Sequence, residues 1–306
     1  MLTFSIIVFI MNVVIFILHT FGSHVLIRIT RERNSKPHIT LLLWLSCTEA
    51  TINLLQAITI IPGFIHGGID TAGTNAFSIV HIISLTGAWL FLYFIMHCIV
   101  FDRLVMAMYP LSYNTTVTGR RITRVVLTGA FITSMIIVTT IVADKVTNFN
   151  WKHIYFKAVY NTLHVSFIAL SVGSYSYIFY KFQSSRKRFK LRNIAVIPKV
   201  ASGTSTIHMI EANSQPTGTP KVTAFQIFRA SKFIISVLLV LTYFLFLIIP
   251  DWIYLYWVVI RKSTSHIIED VCQFLWTFGN LTDFFIYLLG PPKVRKAVKK
   301  MFFNQQ

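Results

Sequence analysis

Apolar residues in this chain do not alternate with polar ones; they come in long runs. Seven such stretches fall at about 3–28, 39–62, 77–101, 124–143, 158–182, 231–257 and 267–289. Each holds about 20 residues or more. At a rise of 1.5 Å per residue a helix of that length crosses a hydrocarbon layer of roughly 30 Å. A membrane barrel would instead show alternating segments of about ten residues. The pattern predicts an all-α membrane protein, with residues 1–289 forming a bundle of seven transmembrane helices.

Composition agrees with this and removes the other classes. Of the 306 residues, 55% are apolar and 12% charged, against about 25% charged in ordinary globular chains. A soluble enzyme, a secreted disulfide scaffold and a disordered tail are all excluded. The formal net charge of +18 would suit nucleic acid, but the cations cluster between the apolar runs. By the positive-inside rule those clusters orient the bundle. Twenty-three Lys and Arg, including Arg28, Arg31, Arg120, Arg121, Lys187 and Lys296, fall on one side; only Lys145, Lys152, Lys157, Arg261 and Lys262 fall on the other. The N-terminus is therefore expected outside and the C-terminus in the cytoplasm. The first run has no basic segment before it, so it reads as a retained span and not as a cleaved signal.

The connections differ in kind. The inner one, about residues 183–228, opens with Arg186-Lys187-Arg188-Phe189-Lys190-Leu191-Arg192 and turns rich in Ser, Thr, Gly and Pro from Ala201 to Pro220. It is expected to be disordered, with its basic flanks near an anionic inner leaflet. Residues 290–306 begin with Gly290-Pro291-Pro292 and continue with Val294, Val298, Met301 and Phe302 on one face among five cations. That is the pattern of a short amphipathic helix in the membrane interface. Cys47, Cys98 and Cys272 lie in spans, so no outer disulfide is expected. No metal-binding spacing, no cofactor motif and no paired catalytic set is present, and enzymatic activity is not expected.

Ionisable groups inside spans are expensive and mark functional sites by default. Glu49 sits midway along the second run and Asp283 in the inner half of the seventh. Both must face the bundle and should lie close together, either as a hydrogen-bonded knot or as a site for a cation or shared proton. Asp102-Arg103 ends the third run, followed by Tyr109-Pro110-Leu111-Ser112-Tyr113.

These motifs, in this order, resemble those of the rhodopsin-like (class A) G protein-coupled receptors. Asp102-Arg103-Leu104 resembles that family's Asp-Arg-Tyr, and Tyr109 to Tyr113 the Pro-Leu-x-Tyr segment after it. Leu45 to Glu49 resembles Leu-Ala-x-x-Asp, and Asp283 to Tyr287 resembles Asp-Pro-x-x-Tyr, with Asn280 just before it. Pro250, with Phe244 six residues earlier, resembles the sixth-helix Phe and Pro pair; the basic segment after Pro292 resembles the eighth helix. There are departures: Ser78 stands in place of the third-helix Cys, Gly22-Ser23 in place of Gly-Asn, Ile248 in place of the toggle Trp, and Phe284 in place of Pro. Leu92, at the third-helix position that usually helps bind sodium, speaks against a sodium site on Glu49 and Asp283.

The resemblance implies a receptor that takes a small extracellular ligand in its outer half and opens its inner half to a heterotrimeric G protein. Asp102, Arg103, Tyr109, Pro110, Glu49, Asn280, Asp283, Tyr287, Phe244 and Pro250 would form its activation switch. Arg103 would pair with Asp102 when closed, then turn toward Tyr175 or Tyr177 and Tyr287 when open. Ala230 stands where an acid sometimes latches that arginine. Leu85, where amine receptors carry Asp, argues against an amine receptor, and Thr277, where opsins carry lysine, against a Schiff-base pigment. The expected pocket comprises Leu85, Trp89, His164, Asp251, Trp252, Glu269, Gln273 and Trp276, a set of aromatics and acids suited to a cationic or amphipathic ligand. Interfacial pairing of Glu269 and Asp270 with Arg261 or Lys262 also fits those acids. Two other readings of the chain stay open: a seven-span chemosensory receptor of another lineage, and an ion- or proton-coupled transporter using Glu49 and Asp283.

Overall fold

The computed structural model describes residues 2–31, 37–66, 76–109, 112–147, 162–181, 183–184, 234–235, 237–254 and 266–303. Among them the protein is helical throughout and contains no strand. The helices, numbered in chain order, are α1 (Leu2–Arg31), α2 (Pro37–His66), α3 (Ala76–Met108), the short α4 (Tyr113–Thr116) and α5 (Gly119–Thr147). They continue with α6 (Thr162–Lys181), α7 (Val237–Ile253), α8 (His266–Leu289) and α9 (Pro292–Phe303).

Five of these are long and apolar enough to cross a membrane: Phe4–Arg31, Pro37–Ile61, Ser84–Met108, Gly119–Thr139 and Thr162–Lys181. This is the build of a multi-pass membrane protein. The described part of α7 is shorter, and α8, at 24 residues, is diluted by Gln273, Asn280 and Asp283. The helices outrun their apolar stretches because each backbone N–H and C=O in lipid needs an intrahelical partner until water is reached. So α1 carries Arg28 and Arg31 in its last turn, where they also oppose the helix dipole.

Helix α1 packs on α2 and α8, α2 on α3, α5 and α8, and α3 on α5. Tyr93 on α3, Phe167 on α6 and Tyr287 on α8 are the largest fully buried side chains, and they join one continuous core. Small residues let backbones approach. A Cβ on Gly129 of α5 would run into the Phe94 ring of α3, and one on Gly22 would sit 3.2 Å from the Tyr287 hydroxyl. The outward face of α5 exposes Val125, Phe131, Ile132, Met135, Val138 and Val142. In water that stripe would drive association; hydrocarbon is its natural solvent.

Two local features shape the site. Pro250 has no N–H and its ring crowds the carbonyl four residues back. Helix α7 absorbs this with a π turn over Phe244–Ile248, closed by the Ile249 N–H on the Phe244 carbonyl. At the far end, Gly290 and Pro291 separate α8 from α9, whose Pro292 opens the helix where no N–H is needed. Val294 is fully buried and Ala297 and Val298 lean on the core, while Arg295, Lys296, Lys299 and Lys300 are exposed. The expected amphipathic helix is present, although the side chains of Met301 and Phe302 lie outside the described residues. So do most of the 183–228 connection, Ala230, Arg261 and Lys262.

Candidate functional site

Polar side chains in the bundle interior gather at three levels. The first lies at the C-terminal end of α3. Asp102 and Arg103 are 5% and 6% exposed, and Arg103 Nε sits 3.9 Å from Asp102 Oδ2. The other carboxylate oxygen, Oδ1, accepts a hydrogen bond from the Tyr113 hydroxyl. Helix α4 supplies that tyrosine: one turn after the chain leaves α3, it returns the ring under the helix end, anchored by the Tyr113 N–H on the Tyr109 carbonyl at 2.9 Å. Burial and the neighbouring Asp102 charge push the Tyr113 phenol well above its ordinary range, so it keeps its proton and remains a donor. Among the described residues Arg103 Nε and Nη1 find no hydrogen-bond partner. A buried guanidinium with unspent donors is an unsettled group, stabilised by any acceptor that reaches it. From α6, Lys181 Nζ donates to the carbonyls of Ala107 and Met108 at 2.5 and 3.1 Å, filling acceptors left open at the α3 C-terminus.

The middle level joins α1, α2 and α8. Glu49 is fully buried and Asp283 is 3% exposed; the two carboxyls lie close enough to interact, while among the described residues both Glu49 carboxyl oxygens and Asp283 Oδ1 make no hydrogen bond. The sequence placed these two acids together, and the structure does so. It adds His19 of α1, also fully buried. His19 Nε2 lies 3.1 Å from the Asn280 carbonyl, an acceptor only, so Nε2 carries the hydrogen. Nδ1 then faces the Tyr287 hydroxyl at 2.6 Å and Glu49 Oε2 at 3.0 Å. Tyr287 also meets Ser46 Oγ at 2.9 Å, and Ser23 donates to Ser46 at 3.0 Å. The network thus runs from Ser23 to Asp283 through three helices. His19 was as readable as Glu49, being an ionisable group inside an apolar run.

The third level joins α3, α6 and α7. The Tyr93 hydroxyl donates to Asp251 Oδ2 at 2.9 Å and contacts His164 Nε2, which is itself 3.1 Å from the same oxygen. His164 and Asp251, both expected in a pocket, are therefore neighbours, joined by a tyrosine whose position in an apolar run gave no sign of it. Trp89 and Trp276 also meet, with ring centroids 6.5 Å apart. Leu85 packs on the core beside them in sequence, and Gln273 is half-buried one turn before Thr277.

Other expected residues lie apart from these levels. Phe244 is 38% exposed, while its neighbour Tyr243 is buried with its ring on Tyr93 and Phe167. Trp252 is 49% exposed and stands on the outer surface of α7. Tyr109 is exposed, Tyr177 is exposed, and Tyr175 leans on the core. Pro250 is buried, its carbonyl accepting from Cys272 Sγ at 3.4 Å. Pro110 and the side chain of Glu269 lie outside the described residues. Among the described residues no group of three His, Cys, Asp or Glu side chains could hold a metal ion.

Compared with known proteins, the sequence matches no family model and no curated relative.

Proposed function

We propose that the chain is a seven-helix receptor of the rhodopsin-like kind, with its N-terminus outside, α8 as its seventh span and α9 lying on the inner leaflet. A small extracellular ligand entering from the α3, α7 and α8 side would favour an open inner end and so activate a heterotrimeric G protein. The observation that carries the reading is the inner end of α3. Asp102, held by Tyr113, pairs with a buried Arg103 whose Nε and Nη1 have no hydrogen-bond partner among the described residues. Such an arginine is poised to change partners when the helices around it move, and its planar, permanently charged head suits that exchange.

The middle network supports the same reading, since it ties α1, α2 and α8 together between the outer and inner ends. A ligand shifts the closed-to-open equilibrium only by its difference in affinity for the two states, so a polar network formed in one of them is a natural point of control. As a transporter, the chain would use Glu49 and Asp283 as an ion path. His19 already fills the space against Glu49, which weighs against a passing ion.

The test expresses the chain with a panel of G-protein α subunits and screens ligand pools, with membrane ion flux recorded alongside. Wild type is expected to give a ligand-dependent G-protein response that Arg103→Ala removes. Flux without any G-protein response would overturn the reading.

A further inference from the structure

Helices α1 and α2 bury amides that the middle network does not use. Asn12 and Asn53 are fully buried and Gln56 is 7% exposed. Asn12 Nδ2 donates to the Val8 carbonyl at 3.0 Å, and Asn53 Nδ2 to the Glu49 carbonyl at 2.7 Å. A carbonyl only accepts, so in each amide the nitrogen takes that side and the oxygen faces away from it. Among the described residues Asn12 Oδ1, Asn53 Oδ1 and Gln56 Oε1 have no hydrogen-bond partner.

Contacts further along the same helices show where these oxygens meet. His19 touches Glu49 across the α1–α2 interface, and the His19 carbonyl accepts from Ser46. Seven residues make two helical turns, about 10 Å, and return almost to the same face. Two turns from His19 is Asn12; two turns from Ser46 and Glu49 are Asn53 and Gln56. The antiparallel register therefore sets Asn12 against Asn53 and Gln56, as it sets His19 against Ser46 and Glu49. Helix α8 runs parallel to α1, since His19 touches Asn280 and Gly22 lies beside Tyr287. Two turns before Asn280 is the half-buried Gln273. Amides from three helices thus share one level. Ile15 and Ile52, 1% and 0% exposed, lie on the same faces between this level and the His19–Glu49 pair.

A buried acceptor without a donor is costly, and here three stand together where helices pack. Their complement is a donor small enough to sit between those helices. Neutral oxygens suit water, which donates twice and, when buried, bridges polar groups that cannot reach one another. We propose that the amide level of α1, α2 and α8 is a water-binding site, where ordered waters donate to Asn12, Asn53 and Gln56 and complete the α1–α2 contact. An alkali ion is the rival guest, because carbonyl oxygens also hold cations. The site stands apart from the receptor reading, which fixes only that it lies on the outer side of Glu49.

The experiment exposes the full chain in lipid nanodiscs to a short X-ray pulse. Radiolysis splits bound water in place, and the hydroxyl radicals label the side chains beside it, buried or not. Mass spectrometry reads the labelling of Ile15 and Ile52, with the equally buried Ile95 of α3 as control and the exposed Tyr109 as dose standard. Wild type is expected to label Ile15 and Ile52 several-fold above Ile95. Asn12→Leu and Gln56→Met should each cut that labelling by a large factor and leave Tyr109 unchanged. Any shift in wild-type melting temperature between NaCl, KCl and choline chloride should persist in both variants. Should one variant not fold, the other carries the test, and the wild-type contrast with Ile95 stands without either. Labelling of Ile15 and Ile52 no greater than that of Ile95, or undiminished in a folded variant, overturns the proposal. An alkali-ion shift in melting that Asn12→Leu or Gln56→Met abolishes also overturns it and gives the oxygens to a cation.

Discussion

Removing one oxygen atom from Tyr113 tests the inner switch with little disturbance of packing. Tyr113 and Asp102 are 6% and 5% exposed, and the phenol donates to a buried carboxylate oxygen. A hydrogen bond to a charged group contributes about 1.5–3 kcal/mol, and each 1.4 kcal/mol or so is a factor of ten in an equilibrium. In the receptor reading proposed above, the arrangement seen here, with Asp102 beside Arg103 and Tyr113 donating to Asp102, is the closed state, and opening would draw Arg103 away and loosen it. Tyr113→Phe therefore shifts the closed-to-open ratio by roughly tenfold or more. A receptor about 1% open without ligand becomes about 10% open. The assay is ligand-free nucleotide exchange on a G protein, with wild type and variant at matched surface density. Basal exchange should rise several-fold in Tyr113→Phe. Because burial and Asp102 keep the phenol protonated far above neutrality, the gap between wild type and variant should stay constant from pH 6 to 9. An unchanged basal rate in a variant that folds as wild type would show that the bond survives opening, and the reasoning fails.

Other substitutions probe other levels. His19→Leu keeps the volume but strips Glu49 and Tyr287 of a shared partner, with an expected loss of roughly 2–4 kcal/mol seen as a fall in melting temperature; an unchanged melt would contradict the network. Gly129→Val drives branched carbon into the Phe94 ring, an overpacking effect of about 1–3 kcal/mol, expected as reduced thermal stability with native topology kept. An engineered glycosylation acceptor ahead of Leu2 should be modified in cells and one within 201–220 should not, the reverse pattern counting against the N-out orientation.

The fold was legible where a long apolar run makes any structure but a helix unsatisfiable in lipid, and α1, α2, α3, α5 and α6 follow those runs. The pairing of Glu49 with Asp283 was legible for a similar reason, since two acids in apolar runs have nowhere to face but each other. Histidine 19 obeys the same logic and belonged with them. Tyr93 did not announce itself: a tyrosine in an apolar helix suits the lipid interface as well as the interior, and only its partners on α6 and α7 decide. Phe244 shows a different limit. Six residues before Pro250 is an inward position in a regular helix, but the π turn over Phe244–Ile248 adds a residue to the turn and changes the facing. Tyr243 takes the inward place instead.

Nucleotide exchange on purified heterotrimeric G proteins, driven by the full chain in proteoliposomes and compared with Arg103→Ala, tests the central claim most directly. The account predicts accelerated uptake of a non-hydrolysable GTP analogue by at least one G-protein class with wild type, raised further by Tyr113→Phe and abolished by Arg103→Ala. Equal uptake with wild type and Arg103→Ala across every class would contradict it.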